Sequence, residues 1–163
     1  EKLIEDMFKS MYESNGVGLA AQQVNRAIRL FLVDASPFAE EHPEAKDFKR
    51  VFINARLLRE EGEAWEFEEG CLSVPGINEY VSRKPVIYMS YYDENFIFYE
   101  EERFEGIKAR IIQHEYDHTE GILFVDRLPG FKKLLLKRKL SDISAGKHKA
   151  VYKMIYPRKR IKH

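Results

Sequence analysis

The run Gln113-His114-Glu115-Tyr116-Asp117-His118 constrains this chain more than any other. Two imidazoles four residues apart project from one face of a helix, where both can close on one metal ion. The flanks agree with a helix. Ile107, Ile111, His114 and His118 fall on one stripe at helical spacing, and Gly106 and Gly121 bracket the segment as its ends. In an H-E-x-x-H unit the two histidines are ligands and the glutamate, here Glu115, is a general base toward water at the metal. The competing reading is a buried helix whose two histidines only satisfy hydrogen bonds.

A catalytic metal site usually has three protein ligands and one open position. Downstream of His118 the chain offers Glu120, too close along the same helix, and then only His148 and His163, in or near a basic tail. Upstream stands the only cysteine, Cys71, in Glu68-Glu69-Gly70-Cys71-Leu72-Ser73. A lone thiol makes no internal disulfide, so it is either a small buried hydrophobe or a reactive or ligating group. As a ligand it would complete a Cys-His-His site on a divalent metal.

The 163 residues suit one compact catalytic domain, with a basic C-terminal tail from about residue 157. Twenty-seven basic and 27 acidic residues cancel, which argues against nucleic acid as the main partner and against sequence-specific binding to it. No apolar run is long enough to span a membrane and no charged-then-apolar leader opens the sequence, so the expectation is a cytoplasmic protein without membrane partners. A single cysteine fits a reducing compartment.

Taken in order, residues 1–14 place Leu3, Ile4, Met7, Phe8, Met11 and Tyr12 at helical spacing, and Asn15-Gly16 supplies a left-handed stop. The small residues of Gly16–Val24 read as a tight turn in preference to a binding loop, and they lack the Lys-Ser/Thr ending of a phosphate loop. Strands are expected over 28–33, 50–58, 64–68, 86–92 and 96–103, the last two joined by Asp93-Glu94-Asn95. Residues 37–47 form a polar loop. The motif helix is followed by a short strand at 122–125, a basic helix at 131–140 and a strand-like run at 150–156. Strands ahead of a central metal-binding helix, with an N-terminal helix and a basic C-terminal helix, predict an α+β fold of mixed or antiparallel sheets.

Three segments together resemble the signature motifs of the peptide deformylase family: Gly16-Val17-Gly18-Leu19-Ala20-Ala21-Gln22-Gln23, Glu69-Gly70-Cys71-Leu72-Ser73 and Gln113-His114-Glu115-Tyr116-Asp117-His118. They occur in the family's order, and the likeness runs from Glu1 to about Leu128. The family usually carries a short extended segment ahead of its first helix, whereas this chain opens on the helix itself.

The resemblance implies removal of the formyl group from the N-terminal formylmethionine of nascent polypeptides in a bacterial cytoplasm, with release of formate. It implies Cys71, His114 and His118 as ligands of one divalent ion, Fe(2+) natively, with Zn(2+), Ni(2+) or Co(2+) able to replace it. Glu115 would be the general acid/base. The Gln23 amide and the Leu72 backbone N–H would donate to the formyl oxyanion, and Gly18 and Gly70 would pair with an extended substrate. Adjacency to the motifs and helical spacing offer Val17, Phe67, Ile107 and Ile111 for a methionine pocket, with ordinary core as the alternative. Arg110 either contacts peptide carbonyls or faces solvent. Glu69 and Asp117 either orient ligands or form structural ion pairs. The basic tail is either a solvated end or a transient contact with the ribosome. Two other functions compete: a zinc endopeptidase independent of Cys71, and a binding module with a closed structural metal site.

Overall fold

A computed structural model describes residues 1–156; the basic tail from 157 lies outside the described residues. Its elements are α1 (Lys2–Glu13), β1 (Gly18–Ala20), β2 (Leu30–Asp34), β3 (Lys49–Glu61), β4 (Trp65–Cys71), β5 (Val74–Arg83), β6 (Val86–Tyr92), β7 (Phe98–Glu105), α2 (Gly106–Thr119) and α3 (Gly130–Ser144). Five strands form one antiparallel sheet in the order β1-β2-β3-β6-β7, and β4 and β5 form a separate antiparallel hairpin. This is the expected α+β arrangement, with α2 at its centre.

The apolar run of β2 is continuous because both faces of the sheet are covered, and side chains alternate between them. Phe31 and Val33 join Phe52, Tyr91 and Phe104 beneath α2, where Ile107, Ala109, Ile111 and Ile112 close the main core. Leu30 and Leu32 point the other way, to Met7 and Met11 of α1. Phe31 and Phe52 stack with ring centroids 4.7 Å apart, a geometry that adds to the area they bury. A third cluster packs Val74, Ile77 and Val81 of the hairpin on Phe124, Val125, Leu128 and Ile143. Among the described residues no helix is long and apolar enough to cross a membrane.

Several local expectations give way. Gly16–Val24 is not one turn: Gly18–Ala20 pairs with β2 as an edge strand, and only Ala21–Val24 coils, as a 3-10 turn. The hairpin partner β5 escaped sequence reading because Pro75-Gly76 signals a stop. In the fold these residues bulge out between the pairs Gly70–Asn78 and Cys71–Val74, and the strand continues. Residues 122–125 are not a strand, since no neighbouring strand is there to pair. The Asp126 carboxylate instead accepts the Leu123 N–H at 2.8 Å and starts a 3-10 turn, Phe124–Arg127. The β-prone run 150–156 likewise finds no partner strand among the described residues, and Val151 and Ile155 are 95% and 87% exposed.

β7 enters α2 without a loop. Gly106 makes that corner at φ +62°, a left-handed conformation that costs glycine little, and its N–H donates to the Pro85 carbonyl at 3.0 Å. The strand order therefore drives α2 across the sheet, and ten of its fourteen residues are buried.

Candidate active site

His114 and His118 project from one face of α2 with ring centroids 5.2 Å apart and planes at 78°. Cys71, the last residue of β4, brings its Sγ to 3.3 Å from His118 Nε2. One donor atom from each of the three lies within 4.8 Å of the others, so a thiolate and two imidazoles converge on a volume that one divalent cation fits. The donor set suits a borderline-soft ion, and three protein donors are the number a catalytic site of this kind supplies.

Behind the donors lies a buried ionic network. The Glu69 carboxylate accepts from His114 Nδ1 at 2.8 Å, from Arg83 Nε and Nη2 at 2.8 and 3.0 Å, and from Arg110 Nη1 at 2.9 Å. A carboxylate only accepts, so His114 Nδ1 carries a proton, and Nε2 is left to the cysteine side, where a bound cation would take its lone pair. Arg83 Nη1 reaches on to Asp117 at 2.8 Å, and Asp117 is paired from its other side by Arg127. Arg83 was not singled out in the sequence because its strand, β5, was not; a cation closing the run Tyr80-Val81-Ser82-Arg83 gives no local sign of burial.

These contacts set the charges. Burial pushes the Glu69 carboxyl up, but His114 and Arg83 more than reverse that and hold it at about 2. Burial also opposes the Cys71 thiolate, and the His114 and His118 rings outweigh it, bringing the thiol down to about 5. Glu115 goes the other way. It is 4% exposed, its Oε2 meets no hydrogen-bond donor among the described residues, and burial lifts its carboxyl to about 7 against the pull of both histidines. A carboxyl of that kind, beside a thiol and two imidazoles, is poised to take and return a proton near neutrality.

Gln23 is oriented by the backbone. Its Oε1 accepts the Ala20 N–H at 2.8 Å, which turns Nε2 toward Ser73 Oγ at 3.0 Å and Cys71 Sγ at 3.6 Å. The amide therefore presents N–H groups to the site.

Gly18 lies so close to Glu115 that a Cβ there would sit 2.6 Å from its Cγ and 2.7 Å from its Cδ. Gly18→Ala is accordingly expected to displace the Glu115 carboxyl, lowering kcat by at least about tenfold and costing roughly 1–3 kcal/mol of stability. Steady-state kinetics with a thermal melt checks this, and wild-type kcat would show that Glu115 moves without consequence.

A cavity of about 440 Å³ opens beside these groups, lined by Val17, Gly18, Gln23, Phe67, Gly70, Cys71, Leu72, Arg110, Ile111, His114 and Glu115 among others. Ile107 is not part of it. One helical turn before Ile111, it is fully buried under the sheet with Phe52 and Phe104, so it belongs to the core. Arg110 borders the cavity but neither faces solvent nor offers both ends to a ligand. It is 2% exposed, its Nη1 serves Glu69 and the Val81 carbonyl, its Nη2 serves the Trp65 carbonyl at 2.7 Å, and its guanidinium carbon lies 4.6 Å from the Trp65 ring centroid.

Residues 1–134 match the family model described as polypeptide deformylase. The chain belongs to the peptide deformylase family. It is 51% identical over 168 residues to a peptide deformylase of Flavobacterium psychrophilum, covering 98% of this chain and 86% of that one. A Christiangramia forsetii peptide deformylase is 49% identical over 164 residues, with 96% and 83% covered. Among solved structures, the peptide deformylase of Thermus thermophilus superposes with a TM-score of 0.77 at 35% identity, covering 90% of this chain and 82% of that chain. A Synechococcus elongatus peptide deformylase in complex with actinonin gives a TM-score of 0.71 at 35% identity, with 92% and 75% covered. As a member of this family the chain is a metal-dependent hydrolase that removes the formyl group from the N-terminal methionine of nascent polypeptides.

Proposed function

We propose that deformylation runs at the Cys71, His114 and His118 cluster, with those three side chains as the metal ligands. The observation that carries the assignment is the meeting of Cys71 Sγ with His118 Nε2 at 3.3 Å across 47 residues of sequence, a contact that neither a core cysteine nor a satisfied core histidine needs. When bound there, a divalent cation supplies Lewis acidity, lowering the pKa of water from about 16 to about 7. Ferrous iron is the expected native ion, with zinc, nickel or cobalt compatible with the same thiolate and imidazole donors.

Around it the chain's own groups divide the work. Glu115 takes a proton from the attacking water and returns it to the departing amine, for which a carboxyl held near 7 is suited. The Gln23 Nε2 hydrogen on the Cys71 side and the Leu72 N–H donate to the oxygen that gains charge as the formyl carbon becomes tetrahedral. Gly18, on the edge strand β1, and Gly70, which also lines the cavity, pair with an extended peptide backbone. Such pairing reads backbone and tolerates varied sequences. Val17, Phe67 and Ile111 supply apolar wall for the methionine side chain. The whole chain acts as one catalytic domain in the cytoplasm, and the basic C-terminal region, whose last residues carry Arg158, Lys159, Arg160 and Lys162, gives a transient ribosome contact.

Formate release from a formyl-Met peptide, measured with metal content on wild type and Cys71→Ala, tests the assignment. Cys71→Ala is expected to lose most of its metal and at least about a hundredfold in kcat/KM. A variant that stays metal-loaded and cuts internal bonds of unformylated peptides would instead make the protein an endopeptidase.

Activity is also expected to fall as pH drops below about 7, because the base form of Glu115 is the deprotonated one. A kcat profile flat down to pH 4 would remove Glu115 from proton transfer.

A further inference from the structure

The turn that delivers Cys71 is short. Cys71 pairs with Val74, so Leu72 and Ser73 alone make the corner, and it is tied down from two sides by side chains distant in sequence. Gln23 Nε2 donates to Ser73 Oγ at 3.0 Å on one side. On the other, the Tyr152 hydroxyl donates to the Leu72 carbonyl at 2.7 Å, across 80 residues of sequence.

Tyr152 belongs to a C-terminal segment that forms no strand and yet lies against the site, where residues 149–152 border the cavity. Apolar burial holds it only in part: Tyr152 and Met154 are half-buried, whereas Val151 and Ile155 are 95% and 87% exposed. The phenol hydroxyl supplies the hydrogen bond that ties the segment to the turn.

We propose that Tyr152 is a positioning residue for deformylation, holding through the Leu72 carbonyl the turn that presents the Cys71 thiolate and the Leu72 N–H to the reaction. This rests on the roles assigned above to Cys71 and Leu72. A carbonyl that loses its donor lets the turn shift, and displacements of an ångström or less in a preorganised site are costly to the chemical step and cheap to substrate binding. The effect therefore belongs in kcat.

The test compares metal-loaded wild type, Tyr152→Phe and Tyr156→Phe on a formyl-Met peptide, with metal content, melting temperature and amide hydrogen exchange on each. Tyr156, whose hydroxyl meets His148 Nε2 at 2.9 Å, is the control on the same segment. Tyr152→Phe is expected to lose about tenfold in kcat with KM within about twofold, wild-type metal content and melting temperature, and faster exchange at residues 71–74 but not at Val81. Tyr156→Phe should match wild type throughout. Unchanged kcat with unchanged exchange, a rise in KM alone, an equal loss in Tyr156→Phe, or loss of metal from Tyr152→Phe each overturns the proposal. Wild type that binds metal but releases no formate would sink the reading of the site instead, and the exchange data would still decide whether Tyr152 holds the turn.

Discussion

Glu115→Gln is expected to lower kcat for formate release by about 10²- to 10⁴-fold while leaving KM, metal content and fold in place. Glutamine keeps the volume of the side chain, so the packing of β1 against α2, where Gly18 faces the carboxyl directly, is undisturbed. It cannot exchange a proton at pH 7. Stability should not fall and is expected to rise slightly, because a carboxyl that is 4% exposed, with one oxygen meeting no donor, is a buried charge the fold tolerates at a cost. Kinetics on the metal-loaded variant, with a melting curve and metal analysis, read all three. Loss of the metal together with activity would make Glu115 a structural support of the cluster and not its acid/base.

The largest stability effect is expected at Glu69. Glu69→Ala strips the shared partner from Arg83 and Arg110, both at most 4% exposed, and from His114 Nδ1. Leaving two buried guanidiniums short of a counter-charge costs roughly 3–5 kcal/mol, and freeing the His114 ring weakens metal binding roughly 10- to 100-fold. The pH dependence carries the signature. The folded-state value of Glu69, about 2, lies below its ordinary 4.5, so the native state binds fewer protons there than the unfolded chain does. Its contribution is complete above pH 4.5 and is lost as pH falls from 4.5 toward 2. Urea unfolding of wild type and Glu69→Ala should therefore differ most at pH 7 and converge across that window. A gap that stays constant down to pH 2 would mean that packing, and not the carboxylate, carries the stability.

The helix that bears both histidines was legible in local spacing, and so were α1, most strands and the α+β class, because side-chain period and glycine punctuation are written in neighbouring residues. Where the local signal misled, a partner was the reason. Pro75-Gly76 looks like a stop, but β4 is there to pair, so a bulge absorbs it; residues 122–125 and 150–156 look like strands, but among the described residues no edge receives them. Ile107 and Ile111 share a stripe at helical spacing and both join the core, and only the position of the sheet decides that Ile111 alone also borders the cavity.

By itself the sequence determined the donor chemistry: one thiol, two imidazoles at the spacing of a helical face, a glutamate between them, and glycines where a backbone must come close. Proximity across 47 residues, the burial that raises one glutamate to about 7 while ion pairs hold another at about 2, and the reach of Tyr152 to the cysteine turn were decided only in three dimensions. Spacing is a property of the local chain, whereas the field and the solvent at a residue are set by whatever the rest of the fold brings beside it.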